Sequence, residues 1–266
     1  MLLGILLIYL VMGSCAGVLA GLLGIGGGAV LVPGLLAVFA LQGVEAPAMV
    51  HQAIATSLAC VVFTALSSIR AHHRRGSVDW RLVARLAPGL LTGSLLGAVV
   101  ADQINGLVLQ RIFGAAALLI GLRMVFQRGA DGGRLNLPGR VGLTVTGTGI
   151  GGLSALIGIG GGSLTVPWLS ACRVPMVRAV GTSAACGLPI ALAGVAGFVL
   201  TGWNEPGRMP HSSGYVLWPA VIGITVASML AAPAGARLAH WLPARQLKRG
   251  FGVLLCVIGL RLAFAA

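Results

Sequence analysis

A glycine-rich segment interrupts the apolar sequence twice, and the two interruptions are nearly identical. The first reads GLLGIGGGAVLVP over residues 21–33, and the second reads ALIGIGGGSLTVP over residues 155–167. Glycine and proline in combination mark a break in regular structure. Because the same break recurs 134 residues later, the chain is predicted to be a duplication that places two equivalent breaks in one fold.

The likeness between the two halves continues beyond the breaks. AIATS at residues 53–57 matches AVGTS at 179–183, and IGLR at 120–123 recurs at 258–261. We therefore expect two structural repeats with a short connection between them. The first transmembrane repeat is predicted to cover residues 1–127, the cytoplasmic connecting loop 128–139 and the second transmembrane repeat 140–266.

The composition indicates an integral membrane protein. Hydrophobic residues make up 57% of the chain and charged residues 9%, against roughly 25% charged residues in an average soluble domain. Backbone polar groups in lipid must be satisfied internally, which favours helices of about 20 residues. The net charge of +13 comes from basic residues between apolar spans, where lipid headgroups and topology account for them, so the lipid bilayer rather than nucleic acid is the expected partner.

The apolar runs predict ten helices, of which the second and seventh are short and each follow a glycine break. Their approximate bounds are 2–23, 29–41, 50–70, 82–101, 107–123, 141–157, 163–172, 179–201, 214–236 and 249–265. The beginning of the chain lacks the basic region of a cleaved signal peptide and leads into the first copy of the repeat, so we expect it to remain in the mature protein.

The distribution of basic residues predicts how the breaks affect topology. The loops at 70–85 and 237–249 contain five and four Lys or Arg residues, which is typical of cytoplasmic loops. If each break only kinked a helix, these loops would lie on opposite sides. If each break reverses the chain, both are cytoplasmic and the two repeats are inverted, as in many secondary transporters. Each break is then either the tip of a re-entrant hairpin or a tight turn between two spans.

The expected fold is therefore an all-α membrane protein with two inverted repeats, each a glycine-broken helical hairpin followed by three transmembrane helices. The breaks are predicted to bind an anion, because a helix start presents unpaired N–H groups and glycine lets a ligand approach the backbone. Hydroxyl pairs on the following span, and the polar residues before them, complete the candidate substrate site: Gly26, Gly27, Gly28, Gln52, Thr56, Ser57, Gly160, Gly161, Gly162, Arg178, Thr182 and Ser183.

These residues also have structural interpretations. Glycine allows close packing of membrane helices, and Ser or Thr can donate to a carbonyl one turn earlier. His51 is the titratable group nearest the expected site. All charged residues fall in loops or at span ends, which favours an anionic or neutral substrate over a cation. Neither a cofactor nor a metal site is predicted, and no clustered catalytic groups suggest an enzyme.

The sequence resembles the TauE/SafE family of membrane proteins, the sulfite exporter family. The resemblance is carried by the first break with HQAIATSL at 51–58, and by the second break with RAVGTSAA at 178–185. It covers nearly the whole chain and implies an inner-membrane permease of small anions, with sulfite, sulfoacetate and related organosulfonates as substrates. We therefore expect a bacterial inner-membrane secondary transporter that exports such an anion by alternating access.

Three alternative functions are compatible with the sequence: an anion channel of the same architecture, a membrane accessory protein without transport activity, and a membrane enzyme. Assembly as a homodimer is left open, as are the direction of transport and the coupling ion.

Overall fold

The computed structural model describes residues 2–23, 28–43, 46–126, 135–238 and 244–264. Within these residues, two short strands, β1 (Ser212–Ser213) and β2 (Val216–Leu217), pair antiparallel. The remaining elements are helices: α1 (Leu2–Leu23), α2 (Gly28–Leu41), α3 (Ala46–Arg74), α4 (Trp80–Asp102), α5 (Gly106–Phe126), α6 (Arg140–Ile157), α7 (Gly162–Ala171), α8 (Met176–Thr201), α9 (Trp218–Leu238) and α10 (Ala244–Phe264). The predicted all-α membrane fold is confirmed.

Helix length and composition agree with a multi-pass membrane protein. Among the described residues, α3, α4, α5 and α8 are long and apolar enough to cross a membrane, and shorter apolar stretches lie in α1, α2, α9 and α10. Helix α7 has only 10 residues. At 1.5 Å per residue it is about 15 Å long, roughly half of a hydrocarbon core of about 30 Å.

Helix α3 lies at the centre of the protein. Every residue from Val50 to Val61 is buried. In the most apolar segment of α3, 72% is buried, against at most 44% in the equivalent segments of α4, α5 and α8. The helix packs against α2, α5, α8 and α9. Residues on α3 are therefore shielded from lipid by neighbouring helices, and they are the ones that reach the glycine breaks.

Glycines bring α4 and α6 into close contact along their length. A Cβ atom on Gly97 would lie 2.5 Å from the carbonyl oxygen of Gly152, and equivalent contacts join Gly89 to Thr144 and Gly93 to Thr148. The paired residue numbers rise together, so α4 and α6 run parallel. Small residues permit this approach of two backbones, which stabilises helix pairs in lipid.

Helices α1 and α9 repeat this arrangement. A Cβ atom on Gly13 would lie 2.5 Å from the carbonyl oxygen of Ile224, and Gly17 contacts Ser228 in the same way. These helices also run parallel. Because the break alignment places α1 opposite α6 and α2 opposite α7, each broken hairpin packs its first helix against a helix of the other half.

Helices α5 and α10 pack in the opposite sense. A Cβ atom on Gly114 would lie 2.9 Å from the carbonyl oxygen of Gly259, and one on Gly121 would lie 2.6 Å from that of Gly252. The residue numbers rise on one helix as they fall on the other, so this pair is antiparallel. The two helices carry the matching IGLR segments, so equivalent helices run in opposite directions here.

The predicted start of the ninth helix at residue 214 is wrong. Residues 214–217 belong to the hairpin, and α9 begins at Trp218. Gly214 has φ +55, a left-handed conformation that cannot continue a right-handed helix. The N–H of Tyr215 donates to the carbonyl oxygen of Phe198 at 3.3 Å, which ties the hairpin to the end of α8. The apolar run before Trp218 is buried against the protein rather than helical.

Candidate functional site

The second glycine break is formed by a standard helix ending. Gly158 has φ 68 and ψ 22, its N–H donates to the carbonyl oxygen of Ala155 at 3.2 Å, and the N–H of Ile159 donates to that of Ser154 at 3.1 Å. This pair of bonds is a Schellman motif, which uses glycine for the left-handed residue. A side chain at Gly158 would also lie 3.1 Å from the Cα of Ile54, so both conformation and packing require glycine here.

Helix α7 then begins at Gly162 without a side-chain cap. The N-cap residue, Gly161, provides no side-chain hydrogen bond, and the first N–H groups of a helix have no partner within it. These groups carry the positive end of the helix dipole. The predicted residues Gly160, Gly161 and Gly162 therefore lie where the sequence placed them, at an uncapped helix start.

The second break contacts the start of α2. A Cβ atom on Gly28 would lie 3.1 Å from the carbonyl oxygen of Gly158 and 3.2 Å from the Cα of Ile159. The hydroxyl of Ser57 donates to Gly158 at 2.9 Å and more weakly to Gly28 at 3.4 Å. Ser57 on α3 thus joins the two broken hairpins. Gly26 and Gly27 lie outside the described residues.

Ser183 on α8 reaches the same region from the other side. Its hydroxyl donates to the carbonyl oxygen of Gly161 at 3.4 Å, and the backbone N–H of Gly187, one turn later, would lie 3.4 Å from a Cβ atom on Gly161. The break is thus enclosed between α3 and α8. Apolar side chains complete the enclosure, because Val61 and Ile190 face Gly160 and Gly161.

Thr56 and Thr182 are turned away from the break, each toward a loop of the other repeat. The hydroxyl oxygen of Thr56 accepts the N–H of Leu217 at 3.1 Å, and that of Thr182 accepts the N–H of Asp79 at 3.0 Å. Both threonines are fully buried. Leu217 and Asp79 immediately precede α9 and α4, so the two bonds are equivalent. Their role as ligand donors stays a prediction.

Gln52 and Arg178 lie at opposite ends of the central helices. Gln52 is fully buried, its Nε2 donates to the carbonyl oxygen of Gly207 at 3.1 Å, and its Oε1 has no hydrogen-bond partner. Arg178 is exposed in the first turn of α8. The structure therefore does not bring these two residues to the second break, and their part in substrate binding also stays a prediction.

His51 belongs to a separate pocket at the end of α3. Its Nε2 lies 2.9 Å from the carbonyl oxygen of Ala101, and its ring stacks on Tyr215 at 5.2 Å between centroids. The hydroxyl of Tyr215 donates to Asp102 at 2.9 Å. The pocket has a volume of about 310 Å³ and also includes Glu205. Burial and the neighbouring carboxylate of Asp102 raise the pKa of Tyr215.

Three hydroxyls at the second break were missed by the sequence analysis. Ser154, Ser163 and Thr165 have buried oxygen atoms with no hydrogen-bond partner. An unsatisfied buried polar group costs about 1–3 kcal/mol. The signal that could have identified them is a difference between the two copies, because Ala20, Ala29 and Leu31 occupy these positions in the first break.

The break therefore offers hydrogen-bond donors with no charged side chain of the described helices beside them. Charged side chains on the described helices lie at their ends, as expected, and the described residues contain no group of three His, Cys, Asp or Glu able to hold a metal. N–H groups and hydroxyls without a counter-charge suit an anionic ligand.

The sequence profile of the family described as sulfite exporter TauE/SafE matches residues 9–262. The chain belongs to this TauE/SafE family. The match includes both broken hairpins and all the helices that enclose the second break. The resemblance inferred from the repeated motifs is thereby confirmed.

Several relatives of this TauE/SafE chain match nearly its whole length. A "Probable membrane transporter protein" of Haemophilus influenzae is 32% identical, with 97% of each chain covered. The "Probable membrane transporter protein YunE" of Bacillus subtilis is 27% identical, again with 97% of each covered. One from Methanocaldococcus jannaschii is 26% identical over 95% of this chain and 93% of its own. No solved structure shows a significant match.

Proposed function

We propose that this protein is a bacterial inner-membrane secondary transporter that exports a small sulfur oxyanion or organosulfonate, such as sulfite or sulfoacetate. The observation that carries the proposal is the second break, where an uncapped helix start lies buried among apolar side chains with hydroxyls and no ion beside it. Membership of the sulfite exporter family and the transporter names of the relatives support it.

The physical basis of anion binding is the helix start. Unpaired N–H groups and the positive end of the dipole attract negative charge, and the attraction is stronger where water is excluded. No lysine or arginine of the described helices lies beside the break, so binding is expected to be moderate. Moderate affinity suits a carrier, because the substrate must also be released on the opposite side.

The second part of the proposal is alternating access of two inverted repeats. Its support is the direction of one pair of packed helices, α5 and α10, which carry equivalent motifs and run antiparallel. Breaks that merely kinked a helix would make equivalent helices run in the same direction. Breaks that reverse the chain would make equivalent helices run in opposite directions, and transporters with inverted repeats bind their substrate between the repeats near the bilayer midplane.

The bonds of the two buried threonines are compatible with relative motion of the repeats. Thr56 and Thr182 each bond the loop of the opposite repeat, at opposite ends of the bundle. Contacts of this kind can break at one end while they hold at the other, as rocking of one repeat against the other requires. The substrate at the break would then be exposed to one side at a time.

Counterflow in liposomes tests the transport function. Purified protein is reconstituted, the liposomes are loaded with unlabelled sulfite, and uptake of labelled sulfite is measured alongside sulfate, thiosulfate, sulfoacetate and acetate. We expect internal sulfite or sulfonate to accelerate uptake, with acetate inactive. Conductance without acceleration would indicate a channel, and absence of any flux above that of protein-free liposomes would indicate an accessory protein.

A further inference from the structure

The two glycine breaks are not chemically equivalent. Their glycines and prolines match, but at three positions the second copy has a hydroxyl where the first has an apolar side chain. The hydroxyl residues are Ser154, Ser163 and Thr165, opposite Ala20, Ala29 and Leu31. A symmetric site would not need this difference, because each break already has an equivalent helix start.

The buried hydroxyls at the second break share with Thr201 and Thr225 the lack of a hydrogen-bond partner among the described residues. Donation to a carbonyl three or four residues earlier is the ordinary arrangement for a helical Ser or Thr, and it is formed by Ser14, Thr64, Thr92, Thr144, Thr146 and Thr148. Ser154 and Thr165 are fully buried and make no such bond. Both hydroxyl groups therefore have no hydrogen-bond partner in the described part of the protein.

Thr165 is directed at the start of α7. Its Oγ1 would lie 3.3 Å from a Cβ atom on Gly161, the uncapped N-cap residue of this helix. Side chains in a helix lean toward its N-terminus, which brings the hydroxyl to the side of the unpaired N–H groups. Beside it lies the end of the Ile190 side chain, whose Cδ1 would lie 2.8 Å from the same Cβ atom, so a ligand reaches these N–H groups when that flexible end shifts.

We propose that the substrate site lies at the second break alone, where the hydroxyl of Thr165 and the N–H groups at the start of α7 bind the oxyanion head of the substrate. Ser163 in the first turn of α7 supplies a second hydroxyl. In the first copy, Leu31 stands opposite Thr165 and is fully buried, so the equivalent hydroxyl is missing from α2. This inference rests on the proposed transport function and assigns its binding group.

The chemical class of ligand follows from the donors. A hydroxyl on one side and backbone N–H groups on the other need a compact head with at least two acceptor oxygens. Sulfite and the sulfonate group have three oxygens and meet this requirement. An organic tail is not selected by these contacts, so sulfite and sulfoacetate should depend on Thr165 to the same degree.

The test compares three purified variants with the wild type. Thr165→Val keeps the shape and removes the hydroxyl, whereas Thr165→Ser keeps the hydroxyl. The matched control is Thr201→Val, which removes another unpartnered buried hydroxyl at the end of α8, about 21 Å along the helix from Gly187 beside the break. Sulfite and sulfoacetate binding is measured by calorimetry, and thermal unfolding is measured without ligand.

We expect Thr165→Val to weaken binding of both anions by about tenfold, equivalent to about 1.4 kcal/mol. Thr165→Ser and Thr201→Val should bind within about twofold of the wild type, a difference well below that tenfold step. Thermal stability of Thr165→Val without ligand should be unchanged or higher, because an unsatisfied polar group has been removed. A merely structural hydroxyl would instead lower that stability.

The outcomes separate this inference from the transport function. Wild-type transport with unchanged affinity in Thr165→Val would overturn the assignment of the site and leave the transporter standing. Anion binding that depends on Thr165, without any flux in liposomes, would support the site and overturn the transporter. If the wild type binds neither sulfite nor sulfoacetate, both are overturned.

Discussion

The reciprocal bonds of Thr56 and Thr182 allow a quantitative prediction of stability. Replacing either threonine by valine keeps the side-chain volume but leaves the N–H of Leu217 or Asp79 without its acceptor. An unsatisfied buried donor costs about 1–3 kcal/mol, and less where water can reach it. Leu217 is only 3% exposed, whereas Asp79 is partly exposed.

We therefore expect Thr56→Val to destabilise the protein by about 2–3 kcal/mol and Thr182→Val by about 1–2 kcal/mol. The two bonds lie at opposite ends of the bundle, so the double variant should show the sum within about 0.5 kcal/mol. The assay is equilibrium unfolding in mixed micelles of mild and denaturing detergent, followed by the fluorescence of the tryptophans.

The matched control is Thr92→Val, because Thr92 is exposed on α4 and bonds only within its own helix. This variant should unfold close to the wild type. Equal stability of all three single variants, or a larger loss for Thr182→Val than for Thr56→Val, would refute the assignment of these threonines as acceptors between the repeats.

Three further predictions concern topology, the break and pH. In a cysteine-free background, Cys at Arg75 and at Arg249 should both label from the cytoplasm; labelling from opposite faces would exclude inverted repeats. Gly161→Val should abolish transport while the protein is expressed at the normal level. The control is Gly149→Val, in open space on α6, which should transport normally. If Gly161→Val alone is poorly expressed, Gly161 serves helix packing rather than substrate binding. Burial and a carboxylate raise the pKa of Tyr215, so its contribution to folding stability should be complete below the ordinary tyrosine pKa of about 10 and should decline above that pH. In Tyr215→Phe, the melting temperature should therefore fall less steeply at alkaline pH than in the wild type. Identical dependence of the two melting temperatures on pH would contradict this prediction.

The sequence determined the helices and the positions of the breaks. Lipid cannot satisfy backbone polar groups, so long apolar runs had to be helical, and α6 begins and ends within one residue of its expected bounds. The helix end at Gly158 and the start of a new helix after it could likewise be predicted from the sequence, because a left-handed glycine ends a helix through local geometry. The error at 214–217 arose where an apolar run is buried by protein instead of lipid, a distinction that hydropathy does not make.

The tertiary structure alone decided which polar side-chain atoms form hydrogen bonds within the protein and which have no partner there. Thr56 and Ser57 are neighbours in sequence, yet one accepts an N–H from the hairpin before α9 and the other donates to the break. The sequence shows that Thr165 stands where the first copy has Leu31, but only the structure shows that its buried hydroxyl lacks a hydrogen-bond partner. Hydrogen bonds between residues more than 100 positions apart depend on how whole helices pack, which local periodicity does not encode.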